Sequence, residues 1–229
     1  MNLLNIERNK TENNKQYIYK VLKESIMNLA LAPGETISEI EISEALNVSR
    51  TPVREAIVRL SEEKLINVFP QKGSVVSKIN LNLVEEAIFL RKLCEKELYK
   101  IVCEDENADT LIKALEKNVL YQEMAVNYDE DFYEFFRLDN QFHLSIFDYY
   151  NKKNVWKSIK RLCTHYDRLR LLDSLEKMNL YENINQHKEI IEIFKNKDTD
   201  KINSLISRHL YNFKEVIDIF IKRHPDYFE

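Results

Sequence analysis

Ile40-Glu41-Ile42-Ser43-Glu44-Ala45-Leu46-Asn47-Val48-Ser49-Arg50-Thr51-Pro52-Val53-Arg54-Glu55-Ala56-Ile57-Val58-Arg59-Leu60-Ser61-Glu62-Glu63-Lys64-Leu65 reads as two short amphipathic helices joined by a tight turn. Ile42, Ala45 and Leu46 fall at i, i+3 and i+4, which puts them on one face of the first helix. Asn47 tolerates a left-handed backbone, so the chain can turn there. The second helix restarts at Ser49 or Thr51, both good N-cap types, and Pro52 fits its first turn, where a missing N–H costs nothing. Val53, Ile57 and Leu60 form its buried stripe. Arg50, Arg54 and the hydroxyls of Ser49 and Thr51 are left outward at its N-terminal end. Arginine forks pair with guanine edges or phosphates, and hydroxyls and helix N–H groups hold phosphate oxygens, so this end suits DNA. A solvated helix start would look the same, and the next residues separate the two. Asn67-Val68-Phe69-Pro70-Gln71-Lys72-Gly73-Ser74-Val75-Val76 is a pair of β-type runs around a turn holding one of the chain's two glycines. A hairpin directly after such a helix is a wing, with Lys72 and Gly73 at its tip.

The run from Val48 to Ala56, with Leu60, Leu65-Ile66 and the Pro70, Gly73 and Val76 wing, resembles the winged helix-turn-helix of the GntR family of bacterial transcription regulators. The resemblance covers roughly residues 17 to 78 and implies DNA contacts from Ser49, Arg50, Thr51, Arg54, Lys72 and Gly73. Three positions depart from the pattern. Asn47 stands for the usual turn glycine, Lys64 for the common glycine before the wing, and Ile40 for an arginine that touches DNA in some members.

Composition sets the frame. With 229 residues the chain has room for two modest domains, and 2 Gly, 4 Pro and 31% charged residues point to a helix-dominated fold. No apolar run approaches the roughly 18 residues that would cross a bilayer, and no signal-peptide core opens the chain, so a cytoplasmic protein is expected. Cys94, Cys103 and Cys163 show no zinc-type spacing and read as reduced core residues. The net charge of −4 excludes indiscriminate nucleic-acid binding; DNA affinity must come from a local basic patch and from dimerisation.

The expected fold is mostly α: a winged helix-turn-helix domain over 1–79, with 1–14 a disordered tail, followed by an all-helical bundle of six or seven helices over 80–229. A first helix carries Ile18, Val21, Leu22 and Ile26. Thr36-Ile37 is a short strand pairing with the wing, and Ser38 with Glu41 is a capping box. Asn80-Leu81-Asn82 is the joint. Beyond it the periodicity gives helices from about Leu83 to Asp105, Asp109 to Asn127, Asp129 to Tyr150, Lys153 to Leu175, Ile184 to Asn196 and Thr199 to Arg223.

Asp139 and His143 lie four apart on an apolar face with Phe135, Phe142 and Ile146, and His187 and His209 sit on core-side positions of later helices. One carboxylate and three imidazoles converging in a bundle core would suit a divalent transition metal such as Zn²⁺, Ni²⁺ or Mn²⁺; a hydrogen-bonded polar network explains the same residues without one. The segments Asp139 to His143, Asn185 to Ile191 and Asp198 to Leu210 resemble the FCD ligand-binding domain of the FadR subfamily. That resemblance implies that Asp139, His143, His187 and His209 hold a metal and that a small carboxylate effector binds beside it. It also matches Arg91 to an arginine that receives the effector, while a salt bridge to Glu95 at i+4 accounts for Arg91 equally well. His165 and His224 match nothing and read as surface or structural. The expected protein is a homodimeric, ligand-responsive repressor of double-stranded DNA targets. The alternatives are the same regulator without metal, sensing something larger such as an acyl thioester, and, more distantly, a metal-dependent hydrolase.

Overall fold

A computed structural model describes residues 1–71, 73–128 and 130–229. The described chain divides into two compact units. The first comprises Met1–Val84 with Thr164–Arg168 and Phe220–Glu229, and the second Glu85–Cys163 with Leu169–Ile219.

In the first unit, α1 (Asn14–Met27) starts at a reciprocal capping box between Asn13 and Gln16. Its buried face of Ile18, Val21, Leu22 and Ile26 packs on α3 (Arg50–Glu62). Between them lie β1 (Thr36–Ile37) and α2 (Glu39–Ala45), the latter capped by the Ser38 side chain. The wing is β2 (Ile66–Phe69) and β3 (Gly73–Val76), and β1 completes the sheet in the order β1-β3-β2, all antiparallel. In register, Thr36 faces Val75 and Ile66 faces Val76, which turns Ile37, Ile66 and Val76 into one core with Ile42, Val53, Ile57 and Leu60. Two positions that depart from the glycine pattern take left-handed backbone, Asn47 at φ 51° and Lys64 at φ 60°. For the lysine, a β-carbon in that region carries a steric cost that surrounding packing must offset.

Residues 1–14 are more than a tail. Leu3 packs against the core, the Leu4 N–H donates to Ser25 Oγ at 3.0 Å, and Asn13 caps α1.

The second unit is a bundle of α4 (Leu81–Glu104), α5 (Asp109–Asn127), α6 (Phe132–Tyr149), α7 (Lys153–Leu162), α8 (Thr164–Leu175), α9 (Leu180–Asn196), α10 (Ile202–Leu210) and α11 (Ile217–Arg223), the ends of α4, α8 and α11 belonging to the first unit. α5 lies against both α6 and α9. The expected helix over 153–175 is interrupted at Cys163 (φ −82°, ψ 11°), and the one over 199–223 is a series of α and 3-10 segments. The first break has an identifiable cause. Thr164–Arg168 belongs with the winged unit, where Arg168 Nη1 donates to the Ser77 carbonyl at 2.7 Å and His165 Nε2 donates to the Lys64 carbonyl at 2.9 Å. His165 Nδ1 in turn accepts from the Asn80 N–H at 3.1 Å.

His165 is therefore a buried structural base, and its titration has a predictable sign. Burial, with Arg168 beside it, pushes it down to about 4, below the roughly 6.5 of an unfolded chain. The unfolded state takes up the proton first, so this contribution is complete above about pH 6.5 and is lost as the pH falls from there through about 4. Urea unfolding of the wild type and of His165→Gln at pH 7.5 and 5 should show the wild type losing about 2 kcal/mol more than the variant over that interval. Equal losses would mean that His165 titrates normally.

Candidate metal centre and DNA-reading surface

α3 opens at Arg50 behind Ser49, whose side chain makes no capping hydrogen bond. Ser49, Arg50, Thr51 and Arg54 are all exposed at this end. Gly73, at the wing tip, is exposed with φ 96°, and nothing would meet a β-carbon there. Lys72 lies outside the described residues. Ile40, which stands in the place of a DNA-contacting arginine, is also exposed. The reading of the sequence missed Glu39. Arg54 Nε and Nη2 donate to its two carboxylate oxygens at 3.0 Å each, and Arg50 Nη2 approaches it at 3.6 Å. Ser38 as N-cap puts Glu39 in the first turn of α2, which was the available signal. This planar fork holds the Arg54 guanidinium in one orientation at the head of the helix.

In the second unit, α6 delivers Asp139 and His143, α9 delivers His187, and α10 delivers His209. The four ligand atoms all lie within 4.8 Å of one another, and each residue is buried. What brings the imidazoles together is apolar packing: Phe142 stacks on His187 with centroids 4.2 Å apart, and His143 lies nearly parallel to Trp156 at 6.0 Å. Burial is the main force holding all three imidazoles below their usual range, so each is a neutral base at neutral pH.

The hydrogen-bond partners of these rings decide which nitrogen carries the proton. His143 Nδ1 lies 3.1 Å from Glu95 Oε2, and a carboxylate only accepts. His209 Nδ1 lies 2.9 Å from Gln186 Oε1, an amide turned that way because its Nε2 donates to Glu182 Oε1 at 2.7 Å. His187 Nδ1 lies 2.9 Å from Gln122 Oε1, whose own Nε2 donates to Asn118 Oδ1 at 2.7 Å, and Asn118 Nδ2 donates to the Leu138 carbonyl at 3.1 Å. All three relays end on an obligate acceptor, so all three rings carry hydrogen on Nδ1 and present a bare Nε2. Those bare nitrogens face one another and a carboxylate. His143 Nε2 and His209 Nε2 are 3.2 Å apart, and His187 Nε2, which has no hydrogen-bond partner, is 3.5 Å from Asp139 Oδ1. Lone pairs that converge in this way repel unless a cation sits among them. Two nitrogens bound at about 2.0–2.1 Å to a tetrahedral ion stand roughly 3.3 Å apart, so the residues fit a divalent metal.

The outer partners are charged as well as neutral. Arg170 Nη2 pairs with Asp139 Oδ2, the oxygen turned away from His187, while Arg91 Nε donates to Glu95 Oε1 at 2.6 Å. Tyr99 donates its hydroxyl to Glu95 Oε2 at 3.2 Å. Burial, the largest single influence, pushes Glu95 up, but the Arg91 guanidinium and the His143 ring together outweigh it and keep the carboxyl well below its usual range. Sequence reasoning left Arg91 between an effector contact and a salt bridge to Glu95, and the structure forms that salt bridge; it gave no role to Arg170, Gln122, Gln186 or Asn118. Polar side chains on otherwise apolar helical faces were the signal.

A winged helix-turn-helix head followed by a helical unit with a buried Asp/His cluster defines the class: a transcription regulator. Residues 14–76 match the family described as bacterial regulatory proteins, gntR family, and residues 86–212 match the FCD domain. The chain is 30% identical to the HTH-type transcriptional repressor RspR of Escherichia coli K12 over 221 residues, 96% of each chain. It is 27% identical to the gluconate operon transcriptional repressor of Bacillus subtilis, covering 86% of this chain and 81% of that one. The solved structure of E. coli McbR/YncC matches with a TM-score of 0.70 at 19% identity, over 93% of this chain and all of the other. The chain belongs to the GntR family of DNA-binding transcription regulators and carries an FCD domain; it is not an enzyme. Among the described residues no helix is long and apolar enough to cross a membrane.

Proposed function

We propose that this chain is a homodimeric repressor that senses a small organic acid at a divalent metal held by Asp139, His143, His187 and His209. The observation that carries the reading is the set of three bare Nε2 atoms and one carboxylate oxygen turned on a common point in a buried core. When bound, the metal would supply a Lewis-acidic position for an effector carboxylate. Cationic groups face the site beside the Glu95 carboxylate: Arg91 bears on all three imidazoles, Arg170 on His187 and Lys160 on His143, while Glu95 bears on His143 and His209 with the opposite sign. Arg91 contributes through this field as well as through Glu95, and Arg170, which ends at the ligand Asp139, is the second cationic candidate.

At the other end of the chain, Ser49, Arg50, Thr51, Arg54, Lys72 and Gly73 would read a major groove and its flanking phosphates. Two-fold symmetry implies an inverted-repeat operator with half-sites about one helical turn apart. Support for a second copy comes from α4, where Phe89 and Leu93, four residues apart, are 65% and 55% exposed and Phe89 shares a hollow with Leu162 at 58%. Effector binding would favour one arrangement of the dimer over another, and so set operator affinity.

Two arms of one gel-shift experiment test this reading. Arg50→Ala and Arg54→Ala should each weaken operator binding by roughly ten- to a hundredfold while leaving binding to scrambled DNA much less affected. Treating the wild type with a chelator, then restoring Zn²⁺, Ni²⁺ or Mn²⁺, should abolish and restore the response to organic acids. Operator binding untouched by the double alanine variant would sink the DNA assignment, and an acid response indifferent to the chelator would sink the metal.

A further inference from the structure

We infer that Asn118, a residue that touches no ligand, fixes the coordinating nitrogen of His187 by way of Gln122. The inference rests on the metal reading above and extends it to residues that hold the site in its binding form. The Leu138 carbonyl is the anchor, because a backbone oxygen can only accept. Asn118 Nδ2 must therefore face it, at 3.1 Å, which turns Asn118 Oδ1 toward Gln122 Nε2 at 2.7 Å. That in turn leaves Gln122 Oε1 toward His187 Nδ1 at 2.9 Å, so the ring proton is held on Nδ1 and Nε2 is bare. Without Asn118 the Gln122 amide can rotate by half a turn and offer its NH₂ instead. His187 would then move its proton to Nε2, where it blocks coordination and where Asp139 Oδ1, 3.5 Å away, would accept it.

The anchor sits beside a ligand in the chain. Leu138 immediately precedes Asp139, so one short piece of α6 supplies the carboxylate ligand and the acceptor that sets the tautomer of a ligand from α9. Asn118 is 8% exposed, Gln122 and His187 fully buried, so water does not compete for these bonds. His209 has a parallel relay through Gln186 to Glu182, but that one ends on an exposed carboxylate, and the neutral Asn118 relay is the one without a charged anchor. Outer partners of metal-bound histidine commonly cost ten- to a hundredfold in metal affinity when lost. Here the cost should extend to a residue two bonds removed from the ring.

The test uses the full-length protein labelled with ¹⁵N-histidine, metal removed by chelator, and compares wild type, Asn118→Leu and Asn118→Asp. Asn118→Asp, buried and so held as the neutral acid, donates its hydroxyl to the Leu138 carbonyl and keeps an acceptor for Gln122 Nε2, whereas Asn118→Leu offers neither. Long-range ¹H–¹⁵N spectra should show His187 as the Nδ1–H form in the wild type and in Asn118→Asp, and as Nε2–H or a mixture in Asn118→Leu. Zn²⁺ titration against a chromogenic chelator should follow the same order, with Asn118→Leu weakened about tenfold or more and Asn118→Asp close to wild type. Thermal unfolding of both metal-free variants reports any general loss of packing. An unchanged His187 tautomer in Asn118→Leu, or equal zinc affinity in the two variants, overturns the inference while leaving the metal reading intact. A wild type that binds no zinc overturns the metal reading, and this proposal with it.

Discussion

His187→Ala should lower zinc affinity by more than a hundredfold and remove most of the stabilisation that zinc gives the wild type. The size follows from what the ring supplies. An outer partner is worth roughly ten- to a hundredfold, and a ligand contributes its own bond in addition. In the wild type, metal at a thousand times its dissociation constant should stabilise the fold by about 4 kcal/mol, read as a rise in unfolding midpoint that grows with free metal. In His187→Ala at the same free metal that rise should fall to about 1.4 kcal/mol or less. The substitution also deletes the ring on which Phe142 stacks, so the metal-free variant should melt below the metal-free wild type. Separating the two effects requires both melts with and without metal. His187→Gln fills more of the space but offers no imidazole, so it should recover part of the packing and none of the zinc response. A metal-dependent midpoint shift of full size in His187→Ala would show that any ion binds elsewhere.

The winged head was legible in the sequence because its signals are local. Asn47 and Lys64 sit where the turn before α3 and the entry to the wing need left-handed backbone, and the run Val48 to Ala56 places cap, proline and apolar stripe within one short window. The four clustered residues were legible for a related reason: each stands out as a polar side chain on an apolar helical face. What held them in their binding form was not. Gln122 and Asn118 look like ordinary polar residues on α5 until the opposite helix shows where their amides point. The breaks at Cys163 and across residues 199–223 contain no glycine or proline, and so leave no mark in the pattern. At Cys163 the deciding bonds run from His165 and Arg168 to Lys64 and Ser77, about 90 to 100 residues away in the chain. The same distance explains why the sequence left His165 open between a surface and a structural residue.

Arg91→Met should destabilise the protein by about 3–5 kcal/mol, among the largest effects open to a single substitution in this chain. Arg91 and Glu95 are 1% and 0% exposed, and removing the guanidinium leaves a carboxylate stranded among His143, Tyr99 and apolar neighbours. Because Arg91 keeps the Glu95 carboxyl below its usual range, the pair's contribution is present above the unfolded value of about 4.3 and is lost as the pH falls through the lower folded value. The wild-type advantage over Arg91→Met should accordingly be full at pH 7 and shrink in strong acid. The double variant Arg91→Met/Glu95→Leu removes the stranded charge and should recover most of the lost stability, since apolar replacement of a whole buried pair is often near neutral. It should not recover zinc affinity, because His143 Nδ1 has lost its carboxylate. That contrast separates the two readings of Arg91. If the arginine served the effector alone, Arg91→Met would leave the urea midpoint near wild type and impair only the response to organic acid. If it holds Glu95 behind His143, stability and metal affinity fall together and the double variant restores only the first.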